Sequence, residues 1–327
     1  MKTRVIIDTD PGVDDALALL LALSSPELRV EAVTTVGGNA ALDQVTKNAW
    51  FLLDFFDFKP RPILAKGASP PRSDTLIAAE PIHGSDGLGG LDRFANLDGR
   101  LRYPRADPGH DVPHATEVLL DLLTRYPDEL TLITLGPLTN LAEALVIDPM
   151  RVRLLREVVI MGGAIRVPGN ITPAAEFNIS ADPYAAQRVF RSGLRITLVP
   201  LDVTEKVFLD SQEALSLGRR IGEPIGRFLL DSTSKAMEHM KGVRGIAAIH
   251  LHDPLAVGVA IKPSLVKTIP LNVAVERQGG VTHGMTLADL RPIRDDLKQP
   301  PNLHAALEVD REGFLQLFTE RLCHGSW

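Results

Sequence analysis

The chain predicts an α/β fold in which one open, mostly parallel sheet is flanked by helices and carries its site at the carboxyl ends of the strands. Short β-branched runs recur with helical patterns between most of them, the mark of parallel strands joined by crossover helices. Several of these runs end in polar or Gly-rich residues, so their loops should meet at one edge of the sheet. No linker-like break, internal repeat or low-complexity tract divides the 327 residues, and residues 1–327 read as a single domain.

The first strand, Val5–Ile7, runs into Asp8-Thr9-Asp10-Pro11-Gly12-Val13-Asp14-Asp15 ahead of an Ala/Leu-rich helix. Four carboxylates on one turn repel one another unless they are solvated, hydrogen-bonded or neutralised by a hard cation. Asp14 and Asp15 could simply cap the helix, but a cap needs one carboxylate, not four. The turn therefore reads as a divalent-metal or anion-handling site, placed where open α/β sheets bind ligands and where a helix offers free N–H groups. It is not an EF-hand: counting from Asp8, Gly12 and Leu19 stand where that loop needs Asp and Glu, and Pro11 intrudes. Remote ligands must complete the shell.

Further strands are expected at Val30–Val36, Leu130–Leu135, Val158–Met161 and Ile196–Leu201. Their loops include Gly37-Gly38-Asn39, Gly136-Pro137-Leu138-Thr139-Asn140 and Met161-Gly162-Gly163. Two segments read as irregular, mobile excursions: Lys66 to Pro113, rich in Pro, Gly and Asp, and Leu209 to Ile246, helical in pattern with a polar, Gly-punctuated end. Long excursions from compact domains commonly serve as lids.

Hydrophobic residues make up 45% of the chain, enough for a sizeable core. A net charge of −6 disfavours a protein that tracks a nucleic-acid backbone, so small molecules are the expected partners. The single Cys323 has no partner for a disulfide or a zinc site and reads as an inert thiol in a reducing compartment. Only three apolar residues separate Arg4 from Asp8, too few for a signal-peptide core, and the longest apolar run, Ala16 to Leu23, is too short to span a bilayer. The expectation is a soluble, cytoplasmic protein with no membrane partner.

The opening octet with Ala16, then Gly37-Gly38-Asn39, Leu135-Gly136-Pro137-Leu138-Thr139-Asn140, Met161-Gly162-Gly163, Gly169-Asn170, Glu176-Phe177-Asn178 and His252-Asp253-Pro254 together resemble the nucleoside hydrolases of the inosine–uridine-preferring type. The match runs in order over most of the chain, and the octet with the Glu-Phe-Asn segment is its most specific part. The resemblance implies a calcium-dependent hydrolase that splits a ribonucleoside into ribose and free nucleobase, using a calcium-bound water and an Asp general base. The residue types suit an oxocarbenium-like transition state. Asp10, Asp15 and Asp253 match the side-chain calcium ligands and Leu135 the main-chain one, and an oxygen-only shell suits calcium over zinc. Asp10 also matches the general base. Asp14, Asn39, Asn170, Glu176 and Asn178 match the residues that hold the ribose hydroxyls, with Met161 packed on the sugar. Relatives assemble as dimers or tetramers, so a homo-oligomer is implied.

Glu176 could serve as a glycosidase-type acid opposite Asp10, but ribose binding is favoured, with leaving-group help sought from His252 and from His83 on its Gly-rich loop. His250 should point to the opposite face of an extended stretch and be structural. His239 lies in Ser232 to Lys241, placed like the family's nucleobase-contacting helix. No Tyr, Phe or Trp occurs between Leu229 and Leu251, so aromatic stacking on the base is not evident there. Two rival readings stand. Asp8-Thr9-Asp10 also resembles the Asp-x-Asp of haloacid-dehalogenase phosphatases, with Asp295-Asp296 as a candidate acidic pair. A non-catalytic calcium-dependent ribose binder would keep the pocket without turnover.

Overall fold

Alternating apolar runs and helical patterns yield the expected architecture. A computed structural model describes residues 2–70, 74–105 and 111–324. In chain order the strands are β1 (Thr3–Thr9), β2 (Leu28–Thr35), β3 (Ile63–Lys66), β4 (Leu130–Thr134), β5 (Glu157–Met161), β6 (Ile196–Val199), β7 (Phe208–Asp210), β8 (Ala248–His250), β9 (Val266–Leu271), β10 (Val273–Val275), β11 (Thr286–Ala288) and β12 (Leu303–Val309). The central sheet has the order β3-β2-β1-β4-β5-β6-β12-β9. Its strands are parallel except β9, which runs antiparallel to β12. Two small antiparallel pairs, β7 with β8 and β10 with β11, lie outside it.

β1 sits mid-sheet with β2 on one side and β4 on the other, which makes its carboxyl end the point where strand order reverses and a crevice opens for ligands. Both faces of the sheet are covered, and strand alternation assigns each side chain to a face. Val5 and Ile7 enter one hydrophobic core while Ile6 enters the other. The helix Val13–Ser24 that follows is buried on nearly every side, packed by the helices His252–Ile261 and Arg311–His324. That burial explains why it is Ala- and Leu-rich rather than amphipathic. None of the described helices is long and apolar enough to cross a membrane.

Three expectations shift. The run Ile196–Leu201 is a strand only to Val199, because Pro200 lacks the N–H a strand would need and instead begins the one-turn helix Leu201–Thr204. The segment Lys66 to Pro113 is not simply irregular: it holds the helix Asp74–His83, the single turn Leu91–Arg93 and a bridge between Ala95 and Leu101. Residues 71–73 and 106–110 of that segment lie outside the described residues. The segment Leu209 to Ile246 resolves into the helices Ser211–Ile221 and Ile225–Arg244, the second ending at Gly245 in the left-handed conformation that a helix stop favours.

Candidate active site

The carboxyl ends of β1, β2, β4 and β5 surround a cavity of about 250 Å³. Asp14, Asn39, Leu135, Met161, Asn170, Glu176, Asn178, His83, His239, His252 and Asp253 all line it, although they come from residues as far apart as 14 and 253. Asp10 and Asp15 are fully buried and are not among the lining residues.

The opening turn orders its carboxylates by giving them different partners. Asp15 accepts from the Thr9 hydroxyl at 2.5 Å, the Gly12 N–H at 3.0 Å, the Asp10 N–H at 3.3 Å and the Asn39 amide at 2.8 Å. It therefore also caps its helix, as the capping reading expects. Asp10 Oδ2 accepts from the Asn39 N–H at 2.6 Å, while buried Oδ1 has no hydrogen-bond partner. Glycine is required on both sides of that carboxylate: a Cβ on Gly38 would stand 1.9 Å from Oδ2, and one on Gly136 would stand 2.6 Å from Oδ1. From the far end of the chain, Asp253 joins through the first turn of His252–Ile261.

Asp14, Asp15 and Asp253 each bring a carboxylate oxygen within 4.8 Å of the others. Asp10 stands outside that trio, turned toward Asn39. Burial, reinforced by the charge of Asp15, raises Asp10 well above the usual carboxylate range, and burial with Asp15 pushes Asp14 up to about 7. Asp253 is raised in the same way by burial and by Asp14, Asp15 and Asp10. Ionising these carboxylates together is thus costly without a cation beside them, and Asp10 Oδ1 has no hydrogen-bond partner. Together with the Leu135 carbonyl on the cavity wall, this oxygen-only donor set fits a hard divalent cation.

Asp8 does not belong to that set, which corrects the reading of four carboxylates around one cation. Still within β1, it follows Ile6 onto the opposite sheet face, where it accepts from the Thr34 hydroxyl and from Asn140 Nδ2 at 2.7 Å. Burial pushes it up to about 6, opposed by those two hydrogen bonds. The phosphatase reading fails on the same geometry, since Asp8 and Asp10 serve opposite sides of the sheet. Its proposed acidic partner Asp296 is exposed and bound by Arg294 at 2.7 Å.

Elsewhere on the cavity, Glu176 caps the helix Phe177–Ala181 and accepts from the N–H groups of Gly163, Asn178 and Ile179 at 2.9, 2.9 and 3.1 Å. Burial raises its pKa and those N–H groups oppose the rise. Asn178 Nδ2 donates to the Leu135 carbonyl at 2.6 Å and approaches Met161 Sδ at 3.4 Å, linking β4 to β5 across the floor. Asn170 accepts from the Phe177 N–H at 2.9 Å.

His83 is the last residue of the helix Asp74–His83 rather than part of the Gly-rich loop that follows. Its Nδ1 accepts from the Val13 N–H at 3.0 Å, which places the proton of the neutral ring on Nε2. Burial pushes its pKa down to about 4, with Asp15 pulling the other way. His252 Nδ1 pairs with the Thr204 hydroxyl at 2.8 Å. His250 corrects its expected placement: the chain turns from β8 into a helix at His252, so strand alternation does not carry across. The two imidazoles stack with centroids 5.2 Å apart, and both line the cavity.

The rest of the cavity wall is largely absent from the sequence reading. Ile82, Met240, Val243, Ile249 and the ion pair Glu205–Arg244 line it, as does Phe177, so an aromatic ring does face the cavity from outside residues 229–251. The spacing of His239, Met240, Val243 and Arg244 along one helix face was the available signal.

These features define a buried carboxylate cluster beside a cavity lined by amides and histidines, and comparison with known proteins gives its family. A profile of the inosine-uridine preferring nucleoside hydrolases matches residues 5–316, and the chain belongs to that family. It is a metal-dependent hydrolase of ribonucleosides. Among its relatives, the pyrimidine-specific ribonucleoside hydrolase RihA of Enterobacter sp. (strain 638) is 37% identical, over 100% of this chain and 99% of that protein. A purine-preferring ribonucleoside hydrolase from Gardnerella vaginalis superposes with a TM-score of 0.86 at 32% identity over 98% of both chains. The plant nucleoside hydrolase PpNRh1 does so with a TM-score of 0.84 at 33% identity over 99% of both.

Proposed function

We propose that the chain acts as one domain over residues 1–327 and hydrolyses the N-glycosidic bond of ribonucleosides with Ca²⁺ as its cofactor. The observation that supports this best is the convergence of the Asp trio, the Leu135 carbonyl, the ribose-side amides and two histidines on one cavity. Asp10, Asp15, Asp253 and the Leu135 carbonyl would hold the ion, Asp10 joining Asp15 and Asp253 through its unpartnered Oδ1 while Asp14, the third member of the trio, serves the substrate. Bound there, Ca²⁺ would neutralise the carboxylates and lower the pKa of the attacking water. Asp10, with one oxygen unpartnered, would accept a proton from the attacking water. Asp14, Asn39, Asn170, Glu176 and Asn178 orient the ribose hydroxyls while Met161 packs on the sugar. As positive charge builds at the anomeric carbon, the surrounding carboxylates stabilise it.

The departing base is met by His83 and His252. Each ring has one nitrogen occupied by a structural partner, Val13 N–H or Thr204, which leaves the other to face the cavity. His239 contributes to the wall against the base. Association into a dimer or tetramer and residence in the cytoplasm complete the reading.

Chelator-stripped protein titrated with Ca²⁺ in a calorimeter should take up one ion per chain. The reloaded protein should release reducing sugar from inosine, uridine, adenosine or cytidine. No uptake removes the calcium assignment, whereas uptake with no sugar released from any nucleoside leaves a ribose binder.

A further inference from the structure

One buried side chain joins the carboxylate turn to the His83 segment. Asn48, in the helix Leu42–Phe55, is 0% exposed, and its Nδ2 donates to the Pro11 carbonyl at 3.0 Å and to the Asp86 carbonyl at 3.0 Å. Its Oδ1 accepts from Gln44 Nε2 at 2.9 Å and from the Arg105 guanidinium at 3.1 Å. All four hydrogen-bonding capacities of the amide are used. Pro11 lies in the turn between Asp10 and Asp14, and Asp86 lies three residues after His83.

We propose that Asn48 is a positioning residue for the reaction: it clamps the segment after His83 onto the carboxylate turn and so sets where His83 stands over the departing base. This rests on His83 aiding the leaving group, as read above. The segment has the stiffness a clamp needs. Asp86 accepts from the N–H groups of Leu88, Gly90 and Leu91 at 3.0, 2.8 and 2.9 Å and pairs with Arg105 at 2.6 Å, so one side chain braces residues 86–91. At Gly87, φ is +76°, and a Cβ there would meet Asn48 Nδ2 at 2.6 Å, so the backbone lies directly on the amide. The His83 ring is tied to the same turn through Val13, which gives the segment two anchors on it. Neither Asp nor Leu could replace the amide, since neither offers two N–H groups to two buried carbonyls.

A core amide with no role in positioning would, on removal, weaken the fold and slow every substrate alike. A clamp acting through His83 predicts otherwise. Asn48→Ala should lower kcat for inosine or uridine by about 10–100-fold, the usual cost of losing a group that orients a functional side chain. A 4-nitrophenyl riboside, whose leaving group needs no proton, should lose less than about threefold. Adding His83→Ala should cause little further loss, and amide exchange over residues 84–91 should rise while β1 stays protected. Equal losses on both substrates, additive losses in the double variant or unchanged exchange over 84–91 would each overturn the clamp. If Asn48→Ala does not fold, Arg105→Ala removes the outer hydrogen bonds to Asn48 and Asp86 and should show the same pattern at smaller size. Its failure to do so would also overturn the clamp. Wild-type protein inert on all nucleosides would sink the hydrolase reading instead, and the exchange measurement would still decide the clamp.

Discussion

The floor of the cavity and its apolar wall are built by different means. The floor comes from strand ends and tight turns, and its polar groups are held by several directed bonds each: Asp15 by four donors and Glu176 by three. The wall draws on the two long excursions for Ile82, Met240 and Val243, side chains placed by shape rather than by hydrogen bonds. Bond cleavage needs charges and hydroxyls at fixed angles, which ladder-bonded backbone can hold. Choosing among bases needs a surface that can change without disturbing those angles.

The sharpest way to break this contrast is at the floor. Asp10→Asn should lower kcat by about 10²–10⁴-fold, the usual worth of general-base help, with far less change in KM and with ribose binding retained. Steady-state kinetics beside a ribose-affinity measurement would show it, and equal loss in both would make Asp10 a structural ligand only. Next in size is His252, between the two regions. His252→Ala should depress kcat for inosine or uridine well beyond its effect on a nitrophenyl riboside. Proportional losses accompanied by weaker Ca²⁺ binding would show that it only orients Asp253.

At the wall, Met240→Ala should alter the ratio of kcat/KM for uridine over inosine by about tenfold, the scale of a changed apolar contact, and leave the nitrophenyl riboside nearly unaffected. The smallest effect on turnover is expected at Asp8, next to the floor in sequence but on the other sheet face. Asp8→Asn should keep Ca²⁺ affinity and kcat within about twofold and change the pH dependence of stability instead. Because folding raises the Asp8 pKa to about 6, the native state holds its proton more tightly than the unfolded chain, so its stability falls as pH rises through 6. Thermal melts of Asp8→Asn at pH 5 and pH 8 should lose that part of the decline. A collapse of Ca²⁺ affinity would instead return Asp8 to the metal site.

Much of this contrast was legible in the residues. The parallel sheet could be read because apolar period and turn chemistry are local signals, and Asp14 of the octet, Glu176-Phe177-Asn178 and His252-Asp253 fall on one cavity. Asp8 and His250 were misplaced for a common reason. Each was assigned a side by proximity or alternation, but the strand continues through Asp8 and stops before His252. A shift of one residue in a strand boundary decides which face a side chain meets.

By itself, the sequence determined the alternation of strands and helices, the carboxylate turn at the end of the first strand and the set of residue types suited to ribose and a hard cation. Only the tertiary structure decided that Asp14 stands with Asp15 and Asp253 while Asp10 turns toward Asn39, and that Asn48 links the turn to the His83 segment. Those outcomes depend on strand order and on packing between segments tens to hundreds of residues apart. Local propensity and periodicity carry no information about such pairings, because the free energy that selects them arises only when the separated surfaces are buried together.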